Sequence, residues 1–137
     1  MIMILKVENK KPIEVSEFST IEKALRSLKS YGPRSYAILE NSDGSYIQVA
    51  GGRVTCVLEL REKKDNKHLR AYLPVPHVCY TGEQTLMFGA GKVKMQPDEI
   101  LFIDDVVSAF RAFFENLPFP STIKWRDMSN IFNDPST

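Results

Sequence analysis

The chain holds two histidines and two cysteines, so its imidazole and thiol chemistry is quickly surveyed. His77 and Cys79 stand two residues apart. On a strand both point to one side, with backbones about 7 Å apart. A structural zinc takes about four Cys, His or carboxylate ligands at suitable spacing. Nothing near His77-Val78-Cys79 supplies a third and fourth, so no metal is assigned. A nucleophilic cysteine needs a base within hydrogen-bond reach. No signature surrounds Cys56 or Cys79, and a small enzyme using His77 and Cys79 stands only as an alternative. Gly89-Ala90-Gly91-Lys92 looks superficially like a phosphate loop. The Walker pattern needs Gly at position 86 and Ser or Thr at 93, where this chain has Leu and Val. The stretch reads as a turn. Asp104 and Asp105 are adjacent, so on a helix they diverge by about 100°. One of them is expected to cap that helix. No catalytic residue and no cofactor is assigned.

Composition sets the frame for these residues. The chain has 137 residues, 43% hydrophobic and 26% charged, with a formal net charge of +1. That is one ordinary globular domain. The balance argues against a nucleic-acid binder driven by bulk charge. The basic stretch Arg61, Lys63, Lys64, Lys67, His68 and Arg70 is interrupted by Glu62 and Asp65, as in a solvated loop. Residues 95–134 carry seven acids and three bases, a net of −4, so the rest of the chain is about +5. This asymmetry is either scatter with acids at a helix start or a docking surface of mixed sign. No run reaches the roughly 18–20 apolar residues of a membrane helix. The apolar start Met1-Ile2-Met3-Ile4-Leu5 meets Lys6 at once and reads as a strand, not a signal peptide. The expected compartment is the cytoplasm, with free thiols.

The elements follow from periodicity. Strands are expected at 2–8 and 13–15. Ser19 and Glu22 form a capping-box pattern opening a helix with Ile21, Ala24, Leu25 and Leu28 on one face, closed by Gly32-Pro33. Tyr36–Glu40 and Ser45–Ala50 flank Asp43-Gly44 as a hairpin. A third strand of this series runs from Arg53 to Leu60, a charged loop from Arg61 to His68, and a further strand from Leu69 to Leu73. Two short strands are expected near 77–80 and 84–88. A second helix carries Val106, Val107, Phe110, Phe113, Phe114 and Leu117. Ile123–Arg126 is a last strand, anchored by Trp125 and with Arg126 and Asp127 as an ion pair or a cap. Together these give an α+β domain over residues 1–132. It is a mainly antiparallel twisted sheet of about five to seven strands with two principal helices, and 133–137 form a frayed tail.

Three stretches in this order resemble small bacterial immunity proteins of polymorphic toxin systems. They are the hairpin Asn41–Gly52 with its Gly-Gly end, the helix Asp105–Phe114, and the ending Ile123-Lys124-Trp125-Arg126-Asp127-Met128. The resemblance spans about residues 20–130 and rests on structural rather than catalytic motifs. It implies a protein that binds a cognate toxin domain, such as a nuclease or deaminase, and neutralises it by occluding its active site. It implies no enzyme activity, no membrane and no direct nucleic-acid contact. It carries no toxin-contacting residues with it. From the residues themselves, a docking face would be the outward side of the 45–60 sheet: Tyr46, Gln48, Arg53 and Thr55, with Tyr72 beside them. Tyr and Arg are the residue types that concentrate binding energy. If the helices instead cover that side, Tyr46 is a core residue. A small-ligand or nucleic-acid binding module is the other alternative, with Tyr36, Tyr46 and Tyr72 on candidate strands as the aromatics an RNA-binding sheet would use.

Overall fold

The computed structural model describes residues 2–30, 33–78 and 82–129. Its elements in chain order are β1 (Met3–Val7), β2 (Ile13–Val15), α1 (Phe18–Arg26), β3 (Tyr36–Glu40), β4 (Tyr46–Gly52), β5 (Thr55–Glu62), β6 (Lys67–Tyr72), β7 (Gln84–Phe88), β8 (Gly91–Met95), α2 (Ile103–Glu115) and β9 (Lys124–Asp127). Seven strands form one sheet in the order β2-β1-β3-β4-β5-β6-β9, and β7 pairs with β8 alone. Every pairing is antiparallel. The fold is α+β, with two helices.

Alternation divides the sheet into two faces. Leu5, Leu39, Ile47, Val49, Leu58, Leu60 and Ala71 point to one side and are buried with Ile21, Leu25, Leu28, Val106 and Phe110 from the helical segments. This is the main core. The opposite side receives the β7–β8 hairpin. Leu86 and Met95 meet Val57 and Ile100 there, over Ala50 and Val93. Tyr36 and Phe88 meet edge-to-face at 6.3 Å. A polar link fastens the hairpin: Gly89 N–H donates to Ser35 Oγ, which donates to Glu8 Oε1 at 2.6 Å. The sheet therefore has one face under helices and one face half under a hairpin.

Several local expectations need correction. The Ser19–Glu22 capping box does not form, because α1 begins two residues earlier than that box requires, at Phe18 with Glu17 as the N-cap. Glu22 instead pairs with Arg26 at 2.9 Å. The helix ends at Arg26, well before Pro33. Ser27 Oγ donates to the Ala24 carbonyl at 2.6 Å, a local bond that competes with the helix ladder. The stretch from Arg61 to His68 is not a loop. Arg61 pairs with His68 and Glu62 with Lys67 in a tight hairpin, and Asn66 takes a positive φ of 52° in its turn. Charged side chains do not prevent a strand whose backbone is fully paired. His77 and Val78 lie in no strand, while Cys79 and Tyr80 fall outside the described residues. The strand that the sequence reading lacks is β8, which folds back on β7 so that Gly89-Ala90 is the hairpin turn.

The second helix also differs at its ends. Neither Asp104 nor Asp105 is its N-cap residue, which is Phe102. Asp105 acts from the third helical position, reaching back to accept the Phe102 N–H at 2.9 Å. At the other end Asn116 adopts φ 56° and the Leu117 N–H bonds to the Ala112 carbonyl, closing the helix just before Pro118. Leu117 is consequently exposed rather than part of the apolar stripe, and Phe113 and Phe114 are half-buried.

Candidate docking face

The side of the sheet away from the helices is built by cross-strand rows. One row reads Lys6, Ile38, Gln48, Glu59, Arg70 and Arg126 from β1 to β9. The next reads Ile4, Glu40, Tyr46, Arg61 and His68. Antiparallel register alone brings these residues together, although they span over a hundred positions of sequence.

The first row is a charge network. Gln48 Nε2 donates to Glu59 Oε1 at 2.9 Å. Arg70 donates to Glu59 through Nε at 3.0 Å, and His68 Nε2 lies 3.4 Å from the same carboxylate. Arg70 also reaches Glu99 at 3.4 Å and the Lys94 carbonyl at 2.8 Å. Arg126 binds Glu99 at 2.6 Å and Asp98 at 3.0 Å. Its guanidinium lies over the Tyr72 ring, 4.5 Å from the centroid. Glu99 is nearly inaccessible, yet both its oxygens are paired. Burial pushes the Glu59 carboxyl up, but the hydrogen bond with His68 and the charge of Arg70 outweigh it and hold it down at about 2. Three carboxylates thus meet two guanidiniums and an imidazole. Such a network fixes strand register and side-chain positions more than it adds stability.

Beside this network the hairpin leaves a cavity of about 330 Å³. Tyr36, Ile38, Ala50, Val57, Phe88 and Val93 make its apolar wall, and Gln48 and Glu59 its polar end. Beyond the hairpin, around Tyr46, the face is uncovered. Ile4, Lys6, Ile38, Glu40, Tyr46 and Arg61 are each half-buried there.

The five residues singled out from the sequence do not form one patch. Tyr46, Gln48 and Tyr72 share the helix-free face. Gln48 is engaged with Glu59, and Tyr72 lies under Arg126. Arg53 sits in the β4–β5 turn with φ 59°, and its carbonyl accepts the Ile103 N–H at the start of α2. Seven residues of strand, roughly 20 Å, separate it from Tyr46. Thr55 pairs with Gly52 beside that turn. The helices lie on the other side of the sheet, so Tyr46 is not a core residue under them. Reading alone missed Glu59, Arg70, Glu99 and Arg126 as a unit. The only available signal was the opposite charges of Glu59 and Arg70, whose pairing depends on the β5–β6 register.

The residues first weighed for chemistry have structural partners. His77 Nε2 is 2.8 Å from Asp105 Oδ2, and its ring stacks on Phe102 at 4.0 Å. The pair joins the start of α2 to the segment after β6. Cys56 is wholly buried, and burial together with the nearby Asp105 charge pushes its thiol up to about 12. It packs as a small apolar side chain and is not a thiolate nucleophile. Arg126 pairs with Asp98 and Glu99, while Asp127 accepts the Ser129 N–H at 2.8 Å. Trp125 packs on Phe119 with ring centroids 4.9 Å apart, the anchor expected of it. Among the described residues no group of three or more His, Cys, Asp and Glu side chains is arranged to hold a metal, and no helix is long and apolar enough to cross a membrane. In comparisons with known proteins, no family model matches the chain and no curated protein matches it in sequence.

Proposed function

We propose that this chain is an immunity protein. It binds a cognate toxin domain through the helix-free face of its sheet and neutralises the toxin by covering its active site in the cytoplasm. The observation that carries the reading is the uncovered half of that face. An aromatic residue, aliphatic residues and charges of both signs stand on one face of the sheet, and the network from Glu59 to Arg126 ties the adjoining rows together. A surface that is already ordered loses little freedom on binding. Tyr46 and Arg61, opposite each other, are the anchors. Gln48 and Tyr72 stand on the same face, engaged with Glu59 and Arg126. Arg53 and Thr55 lie off it.

The test is co-expression. A partner that co-purifies stoichiometrically, is toxic alone and is harmless beside this chain supports the reading. The double substitution Tyr46→Ala with Arg61→Ala then abolishes protection while leaving thermal stability nearly unchanged. A co-purifying partner without toxicity, or protection that survives the double substitution, overturns it.

The cavity favours a second reading, a small-ligand binding module. Its volume lies within the range of small-molecule sites, about 300–1,000 Å³, and its apolar wall ends in two polar groups. Titration with the neutral fluorophore N-phenylnaphthylamine tests it. Saturable binding that Ala50→Trp removes supports this reading, and no saturable binding rejects it.

A further inference from the structure

On the helix side of the sheet, at its β2 edge, a groove runs between α1 and the β1–β2 hairpin. Its floor is apolar, made by Leu5, Val7, Ile13 and Ala24. Its rim carries Lys10, Lys11, Lys23 and Arg34, and among the described residues no acidic side chain lines it. The arrangement is built by the fold. Asn9 takes φ 63°, and the Lys10 N–H bonds to the Val7 carbonyl, so the turn lifts Lys10 and Lys11 over the groove. Asn9 Nδ2 donates to the Pro33 carbonyl at 2.7 Å, which pins the neighbouring Arg34 to the same turn. Lys23 arrives from the exposed side of α1.

The four cations are unneutralised. Several cations outside the groove pair with carboxylates: Arg26 with Glu22 and Asp104, Arg70 with Glu59, Arg126 with Asp98. Among the described residues no ion pair forms to Lys10, Lys11, Lys23 or Arg34. Four like charges around an apolar trough repel one another, and that cost is relieved when carboxylates enter.

We infer that this groove binds a peptide segment of a protein partner in which acidic residues flank apolar ones. The apolar side chains would cover Ile13 and Ala24, and the carboxylates would meet the lysines. A single-stranded nucleic acid fits less well. Such ligands are held by bases stacked on aromatic rings, and among the described residues no aromatic side chain lines the groove. The groove lies on the opposite side of the sheet from Tyr46, so this inference stands or falls independently of the immunity reading.

The experiment uses the intact chain and a short fluorescein-labelled peptide of glutamates around a central leucine pair. Fluorescence anisotropy is read at rising salt, with oligothymidylate of equal charge as the competitor. Saturable binding is expected. It weakens with salt as the Debye length shrinks from roughly 10 Å to 3 Å. Lys11→Glu with Lys23→Glu should reduce affinity about tenfold or more, since each exposed pair turns from attraction to repulsion. Both lysines are exposed, so the melting temperature stays unchanged. The reversed variant should bind the same peptide carrying lysines in place of glutamates. Absence of peptide binding, indifference to the charge reversal, or tighter binding of the oligothymidylate overturns the inference.

Discussion

The two faces of the sheet are made of the same strands and held in opposite ways. On the helix side, side chains from β1, β3, β4 and β5 interlock with α1 and α2 in a dry apolar layer. On the other side, a hairpin covers one part with a small apolar cluster, and ion pairs secure the rest. The first arrangement supplies stability, because area removed from water is its driving force. The second supplies definition, because a paired charge has few acceptable positions. A molecule with this division can present a fixed polar surface without depending on that surface to stay folded.

That contrast can be broken by substitution. The largest effect is expected at the centre of the helix side. Phe110 is wholly buried, and Phe110→Ala should cost about 3–5 kcal/mol in urea unfolding. The network should respond next. Glu99→Gln takes one of their carboxylate partners from Arg70 and Arg126, which keep Glu59 and Asp98, and should cost about 1.5–3 kcal/mol. A loss at Glu99 equal to that at Phe110 would mean that the charged face also carries the stability.

A pH series sharpens the same comparison. The Glu59 carboxyl lies at about 2 in the folded chain, below its ordinary 4.5. Its folded-state value is depressed, so its contribution is complete above about pH 4.5 and is lost as pH falls toward 2. Glu59→Gln should therefore be less stable than the parent chain at pH 6, with the gap closing between pH 4.5 and 2. An unchanging gap would show that the carboxylate's charge does not matter. Phe110→Ala should keep a constant deficit across that range. The smallest stability change is expected at Tyr46, half-buried on the uncovered surface. Tyr46→Ala should shift unfolding by less than about 1 kcal/mol.

The helix side was legible in the sequence because alternation encodes it. Ile47 and Val49 against Tyr46 and Gln48, and Ile21 with Leu25 on α1, point to one core. The Asp43-Gly44 turn was equally plain, with Gly44 at φ 92°. The other side was harder to read. Its register brings Glu59, Arg70 and Arg126 into one row, but no local pattern marks the pairing of 59 with 70 or of 70 with 126. The β7–β8 hairpin was half seen because Gly91 hid the start of β8, and Val93 and Met95 alternate with two lysines. The five proposed docking residues divided for the same reason. Strand alternation correctly put Tyr46, Gln48 and Tyr72 on one face. It could not show that Gln48 and Tyr72 were already engaged, or that Arg53 had turned away to meet the start of α2.

The claim that one face builds and the other binds is tested most directly by protection of living cells. Cells producing the co-purified partner would be grown with the intact chain, with Tyr46→Ala and Arg61→Ala together, or with Lys11→Glu and Lys23→Glu together. The immunity reading predicts growth with the intact chain and death with the Tyr46 and Arg61 variant, although that variant keeps nearly the parent thermal stability. Growth with the Tyr46 and Arg61 variant equal to that with the intact chain would contradict it.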